Sequence, residues 1–193
     1  RSGARKAGSA KADAALIPRV LAAAAVVVLG ACVATPPPSV TKLQSYRDRS
    51  ALIGVTSRFD EAKFAGVWYV RAGFDPELGK MAFNMRATPQ GPVMRLGAFV
   101  CDPAGVCGDF AEDLPLKRIS NGRYSTKMPS GETREFWVLW VDEGFRTAVM
   151  GNRDGTFGWI VDRSTKGGAD RIKAAREILD FNGYNVSRLK VVK

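Results

Sequence analysis

Three cysteines and no histidine, among 193 residues, set the chemistry open to this chain. Without an imidazole there is no Ser-His-Asp or Cys-His relay, and the commonest zinc ligand is missing. Most hydrolytic and zinc-dependent functions are thereby excluded. Cys101 and Cys107 bracket the stretch "DPAG", in which Pro103 and Gly105 take the second and fourth positions of a type I turn. Such a turn carries the two thiols across a hairpin, and an oxidising compartment would join them in a disulfide worth about 2 kcal/mol. A metal site is the rival reading, but two thiolates without histidine supply too few ligands. No metal and no cofactor are expected. Glu112, on the strand-like "CGDFAEDL", is the one carboxylate to nominate for acid–base work. The expectation is a protein that is not an enzyme.

The third cysteine belongs to a different chemistry. Arg1 to Arg19 form a basic leader, and the unbroken apolar run Val20–Ala31 follows it. That run is too short for the roughly 20 residues a spanning helix needs, and a basic leader, a short apolar stretch and small residues mark a secretory signal. "LGAC", Leu29 to Cys32, resembles the bacterial lipobox, whose cysteine is acylated after cleavage. Each buried methylene contributes about 0.8 kcal/mol, so several acyl chains make a durable anchor. By the same resemblance, Val33 rather than Asp after the cysteine implies sorting to the outer membrane. Residues 1–32 are thus expected to be a lipoprotein signal ending at lipidated Cys32. Pro36 to Pro38 then make residues 33–57 read as a semi-rigid tether, with the domain proper at 58–193.

The elements that would position a site are strands. From Gly66 to Arg163, eight strand-like runs alternate with turn signals such as "PQGP", "SNG", "PSG", "DEG" and "RDG". The expectation is all-β: an eight-stranded antiparallel up-and-down barrel, because closing the sheet removes its two exposed edges. Period-two alternation turns Arg86 and Arg95 outward and proposes a lumen lined by Val70, Phe83, Met85, Met94, Leu96, Ala98, Phe145 and Val149. "FWVLW", Phe136 to Trp140, is apolar at every position and so needs cover on its outer face as well. "ADRIKAAREILDF" supplies that cover as one C-terminal helix, with Ile172, Ala175, Ile178 and Leu179 on one stripe and Gly183 as its stop.

These pieces resemble a lipocalin, in particular the bacterial outer-membrane lipoprotein type. The resemblance rests on Phe64, Gly66 and Trp68 at the first strand, on "DEGFRTAVMGN", and on "WIVDR", which places Arg163 after Trp159 and Ile160. It implies that Trp68 plugs the closed end of the barrel, that Gly66 permits close approach there, and that Arg163 stacks on the indole. That signature is structural. The function implied is a membrane-anchored carrier binding, storing or transporting a small hydrophobic or lipid ligand, such as a fatty acid or lysophospholipid, at the periplasmic face of the outer membrane. The alternative is a structural or interaction lipoprotein whose barrel is filled by its own 4 Trp, 10 Phe and 5 Met side chains. Net charge is +10, and from Val33 onward 24 basic residues face 18 acidic ones without forming a block. Nucleic acid is therefore not an expected partner, whereas an anionic membrane is compatible.

Overall fold

The computed structural model describes residues 44–74, 81–101 and 107–192, apart from the side chains at positions 98–101, 107–108 and 110. Cys32, the leader and the proline run lie outside the described residues. The strands are β1 (Gly66–Gly73), β2 (Ala82–Thr88), β3 (Gly91–Cys101), β4 (Cys107–Pro115), β5 (Lys117–Ser120), β6 (Arg123–Lys127), β7 (Thr133–Val141), β8 (Thr147–Gly151), β9 (Gly158–Asp162) and β10 (Lys190–Val191). They pair antiparallel in the order β4-β3-β2-β1-β9-β8-β7-β6-β5, with β10 added to β1.

The sheet path begins and ends on neighbouring pieces of chain, since only Leu116 separates β4 from β5. They are two halves of one bent strand. Pro115 has no N–H to give the ladder, so pairing with β3 stops there and pairing with β6 starts beyond it. The bend is tied on both sides: the Leu116 N–H donates to the Pro92 carbonyl (2.8 Å), and the Thr126 hydroxyl donates to the Pro115 carbonyl (2.7 Å). The result is a nearly closed barrel with nine strands along its path where eight are expected, the extra one arising at this proline.

Helix α2 (Ala169–Phe181) covers the outside of β7, β8 and β9. Its Ala175 and Leu179 are fully buried against Trp137, Leu139, Val149 and Ile160. Burying a side chain the size of Leu179 contributes about 1.5–3 kcal/mol, enough to make this face a second core. Immediately after the helix, the Tyr184 ring lies over Gly151 and Gly158, which are register partners in β8 and β9. A Cβ on Gly151 would fall 2.3 Å from the Tyr184 oxygen, so the ring needs that bare backbone.

The domain starts earlier than Arg58. Residues 44–57, expected to be tether, run along the barrel wall and pack on it. Ile53 and Val55 join the cluster beneath α2, and the Thr56 N–H bonds the Val138 carbonyl at 3.0 Å. Arg47 is buried, and its guanidinium donates to three carbonyls, those of Asn182 (3.0 Å), Arg153 (2.8 Å) and Ala51 (2.6 Å). This strap has no regular period, so hydrophobic patterning does not announce it.

Candidate ligand-binding interior

One end of the barrel is sealed. Asp60 caps the single turn α1 (Glu61–Phe64) by accepting from the Lys63 N–H at 3.1 Å, which swings Phe64 inward. Trp68 enters from β1, fully buried, with its indole N–H donating to the Phe64 carbonyl (2.8 Å) and its ring 4.7 Å from that of Phe64. From the end of β9, the Arg163 guanidinium sits 3.7 Å from the Trp68 ring. It donates to the carbonyls of Lys63 (2.8 Å), Ala65 (2.8 Å), Val67 (2.9 Å) and Phe145 (3.3 Å). Burial pushes its pKa below the ordinary guanidinium value, a cost that the carbonyls and the ring offset. Gly66 has φ 97°, and a Cβ there would lie 3.2 Å from the Arg163 Nη1, so this corner needs glycine twice over. Beside it, Tyr124 donates to Glu61 at 2.6 Å. Burial first, and then this bond, hold the phenol well above its usual range.

Two acidic residues brace the outside of the same end. The Asp142 carboxylate accepts from the Arg146 and Thr147 N–H groups, each at 2.6 Å, and from the Arg146 Nε at 3.1 Å. Burial raises its pKa, but these bonds outweigh it and hold the carboxyl below its usual value. The buried Asp162 accepts from Thr147 and lies 3.2 Å from the Arg171 Nη2, which pins α2 to the barrel.

Above the seal, aromatic rings cross the interior in contact. Phe64 leads to Phe83 (6.5 Å between centroids), Phe83 to Trp159 (6.4 Å), and Trp159 to Phe157 (5.1 Å) and Phe136 (6.3 Å). Val70, Met85 and Met94 are buried in this same cluster, while Leu96 is only partly buried against it. Met81 and Met128, from the opposite end of the barrel, also pack on the cluster while remaining partly exposed. The apolar interior is thus shut at the Trp68 end, and among the described residues Met81 and Met128 stay partly exposed toward the end where β1, β3, β6 and β8 finish.

Two residues expected in the lumen lie elsewhere. Val149 faces outward into the cluster under α2, whereas its neighbours Ala148 and Met150 point inward. Phe145 is not in a strand but in the turn before β8, with φ 52°, packed on the cluster from the sealed end. The Asp142 carboxylate holds that turn through the N–H of Thr147, so β8 starts later than the run "FRTAVMGN" suggests. The side chains of Ala98, Cys101 and Cys107 lie outside the described residues, but the backbone register sets Cys101 opposite Cys107. Phe59, Leu114, Tyr124, Phe136, Met150, Phe157 and Trp159 also belong to the interior, beyond the lumen residues expected from sequence. Phe157, Trp159 and Val161 do alternate with Gly158, Ile160 and Asp162, a period-two signal that could have found them.

Among the described residues no group of three or more His, Cys, Asp or Glu is placed to hold a metal. Glu112 is half-buried opposite Leu96.

No protein-family model matches this chain, and no curated protein matches it. Solved structures do. Lobster apocrustacyanin A1 is 13% identical with a TM-score of 0.53, covering 68% of this chain and 77% of its own. Apocrustacyanin C1, at 13% identity, and apocrustacyanin C2, at 12%, each give a TM-score of 0.51 over 67% of this chain and 77% of theirs. Crustacyanins are lipocalins, and the likeness is one of fold: a nearly closed antiparallel barrel with one C-terminal helix.

Proposed function

We propose that this lipocalin-type barrel is a non-catalytic binding protein for a small hydrophobic or lipid-like ligand. One observation carries the reading: an apolar interior, sealed by Trp68 and Arg163, whose members Met81 and Met128 at the opposite end, and Leu96 midway along β3, stay partly exposed. Partly exposed apolar side chains gain about 25 cal/mol for every Å² that a ligand covers. The aromatic run reaches from Phe64 at the sealed end to Phe157, just before β9 at the other end, so the ligand would sit beside these rings at the mouth marked by Met81 and Met128. The proposal includes a membrane tether, supported by the apolar run Val20–Ala31 and the "LGAC" stretch ending at Cys32, with residence at the bacterial outer membrane supported by Val33. A fatty acid or lysophospholipid is the ligand class that such a location would supply.

The contact of Phe64, Phe83, Trp159, Phe136 and Phe157 favours a second reading, a barrel filled by its own rings and serving as a structural or interaction lipoprotein. Native mass spectrometry of the purified chain, followed by solvent extraction, separates the two. A lipid released in stoichiometric amount supports the carrier. An apo mass that stays unshifted with added fatty acid or lysophospholipid refutes it and leaves the filled barrel.

A further inference from the structure

Strand β1 gives one of its edges to two partners. β9 holds the other edge from Tyr69 to Gly73. On the shared edge, β2 pairs from Gly66 to Tyr69, and β10 takes over at Ala72 and Gly73. Two strands cannot follow one another along an edge without a seam. The last tie on the β2 side is the Val70 N–H to the Met81 carbonyl (3.0 Å), and the next on the β10 side is the Val192 N–H to the Arg71 carbonyl (2.9 Å). A β1 irregularity falls between Val70 and Ala72, at the same place.

A cleft of about 460 Å³ opens at this seam. Its inner wall is apolar: Val70 belongs to the interior cluster, and Met81 and Val192 pack against it. Its outer lip is polar and cationic, formed by Tyr69, Arg71 and the loop after β9, which contributes Thr165 and Lys166. The Arg71 Nη1 donates to the Ser164 carbonyl (3.0 Å) and the Gly167 carbonyl (3.2 Å), so the guanidinium is held in place by groups that do not cancel its charge. Among the described residues neither Arg71 nor Lys166 forms an ion pair. Two cations without an ion pair among the described residues thus stand over an apolar slot whose inner wall belongs to the barrel's interior cluster.

We propose that this cleft binds a single-chain anionic amphiphile, with its carboxylate or phosphate head on Arg71 and Lys166 and its alkyl chain between Met81 and Val192. The assignment rests on the apolar interior of the proposed carrier and gives it a side entrance with a head-group preference. Calorimetric titration of the purified chain with decanoate and with decan-1-ol tests it. Decanoate should bind about tenfold more tightly than the alcohol, the scale of one charge-assisted contact. Lys166→Glu should remove that advantage without changing alcohol binding, Lys166→Arg should keep it, and Thr165→Trp should weaken decanoate by filling the slot. Decanoate binding that survives Lys166→Glu but is lost in Leu96→Trp overturns the cleft and leaves the carrier reading standing. Failure of both probes to bind overturns both.

Discussion

Removing Arg163 tests the sealed end most directly. Its guanidinium joins α1, the start of β1 and the turn before β8, through four carbonyls and the Trp68 ring. Each bond contributes a net of about 0.5–1.5 kcal/mol, and the stack adds about 0.5–2 kcal/mol. The bonds to the Lys63 and Val67 carbonyls are exposed, and water there recovers part of the loss, so Arg163→Ala should destabilise by about 3 kcal/mol. Arg163→Lys keeps the charge but lacks the planar fork, reaches fewer carbonyls, and should still lose about 2 kcal/mol. Urea unfolding followed by tryptophan fluorescence measures both, because Trp68 changes environment on unfolding. If Arg163→Ala stays within about 0.5 kcal/mol of the parent, or lysine restores full stability, the fork does not hold this end together.

The Tyr184 hydroxyl accepts from the Asn152 N–H (3.0 Å) and donates toward the Asn152 (3.1 Å) and Phe157 (3.0 Å) carbonyls, so Tyr184→Phe should cost about 1–3 kcal/mol in the same assay. Burial pushes its pKa from 10.0 up to about 12, which stabilises the fold below pH 10 and loses that stabilisation as pH climbs toward 12. Absorbance titration at 295 nm should show a tyrosinate step near pH 12 that Tyr184→Phe removes while the still later ionisation of Tyr124 remains. Asp142 has the opposite sign: its folded pKa lies below 3.8, so its contribution is complete above that value and vanishes as pH falls through the folded pKa. Asp142→Asn should flatten the loss of stability in acid, measured as midpoint against pH. Cys101 and Cys107 face each other in register, and antiparallel partners stand about 4.5–5.5 Å apart at Cα, within disulfide reach. Peptide mapping after alkylation without reductant should recover them joined, and Cys101→Ser should cost about 2 kcal/mol.

Sequence revealed most where one face of an element is wet. Phe83 and Met85 alternate with Asn84 and Arg86, and that phase alone turns β2 the right way round. The stripe of α2 is equally plain because Lys173 and Glu177 mark its exposed side. In β8 every residue is buried, the inward face by the lumen and the outward face by α2, so alternation carries no phase and Val149 cannot be assigned from pattern. The bend at Pro115 was unreadable for another reason. A proline in a strand signals a break, but whether the chain turns away or continues to a new partner depends on the distant Thr126. The side cleft is still less visible, since it follows from β10, only two residues long, competing with β2 for one edge.

The closure at β1 also shapes the order in which this chain can fold. Every other pairing around the barrel joins neighbours in sequence through a short turn or, at β4 and β5, through continuous chain. Only the β1–β9 and β1–β10 ladders bring distant segments together, and the contact they create between Val67 and Arg163 spans 96 positions. Hairpins close in microseconds, but a long loop is entropically costly until its contacts are complete. Closure is therefore expected to come late, after the hairpins on either side have formed. Trp68 is sequestered only then, which makes its fluorescence a clock for the last event rather than the first.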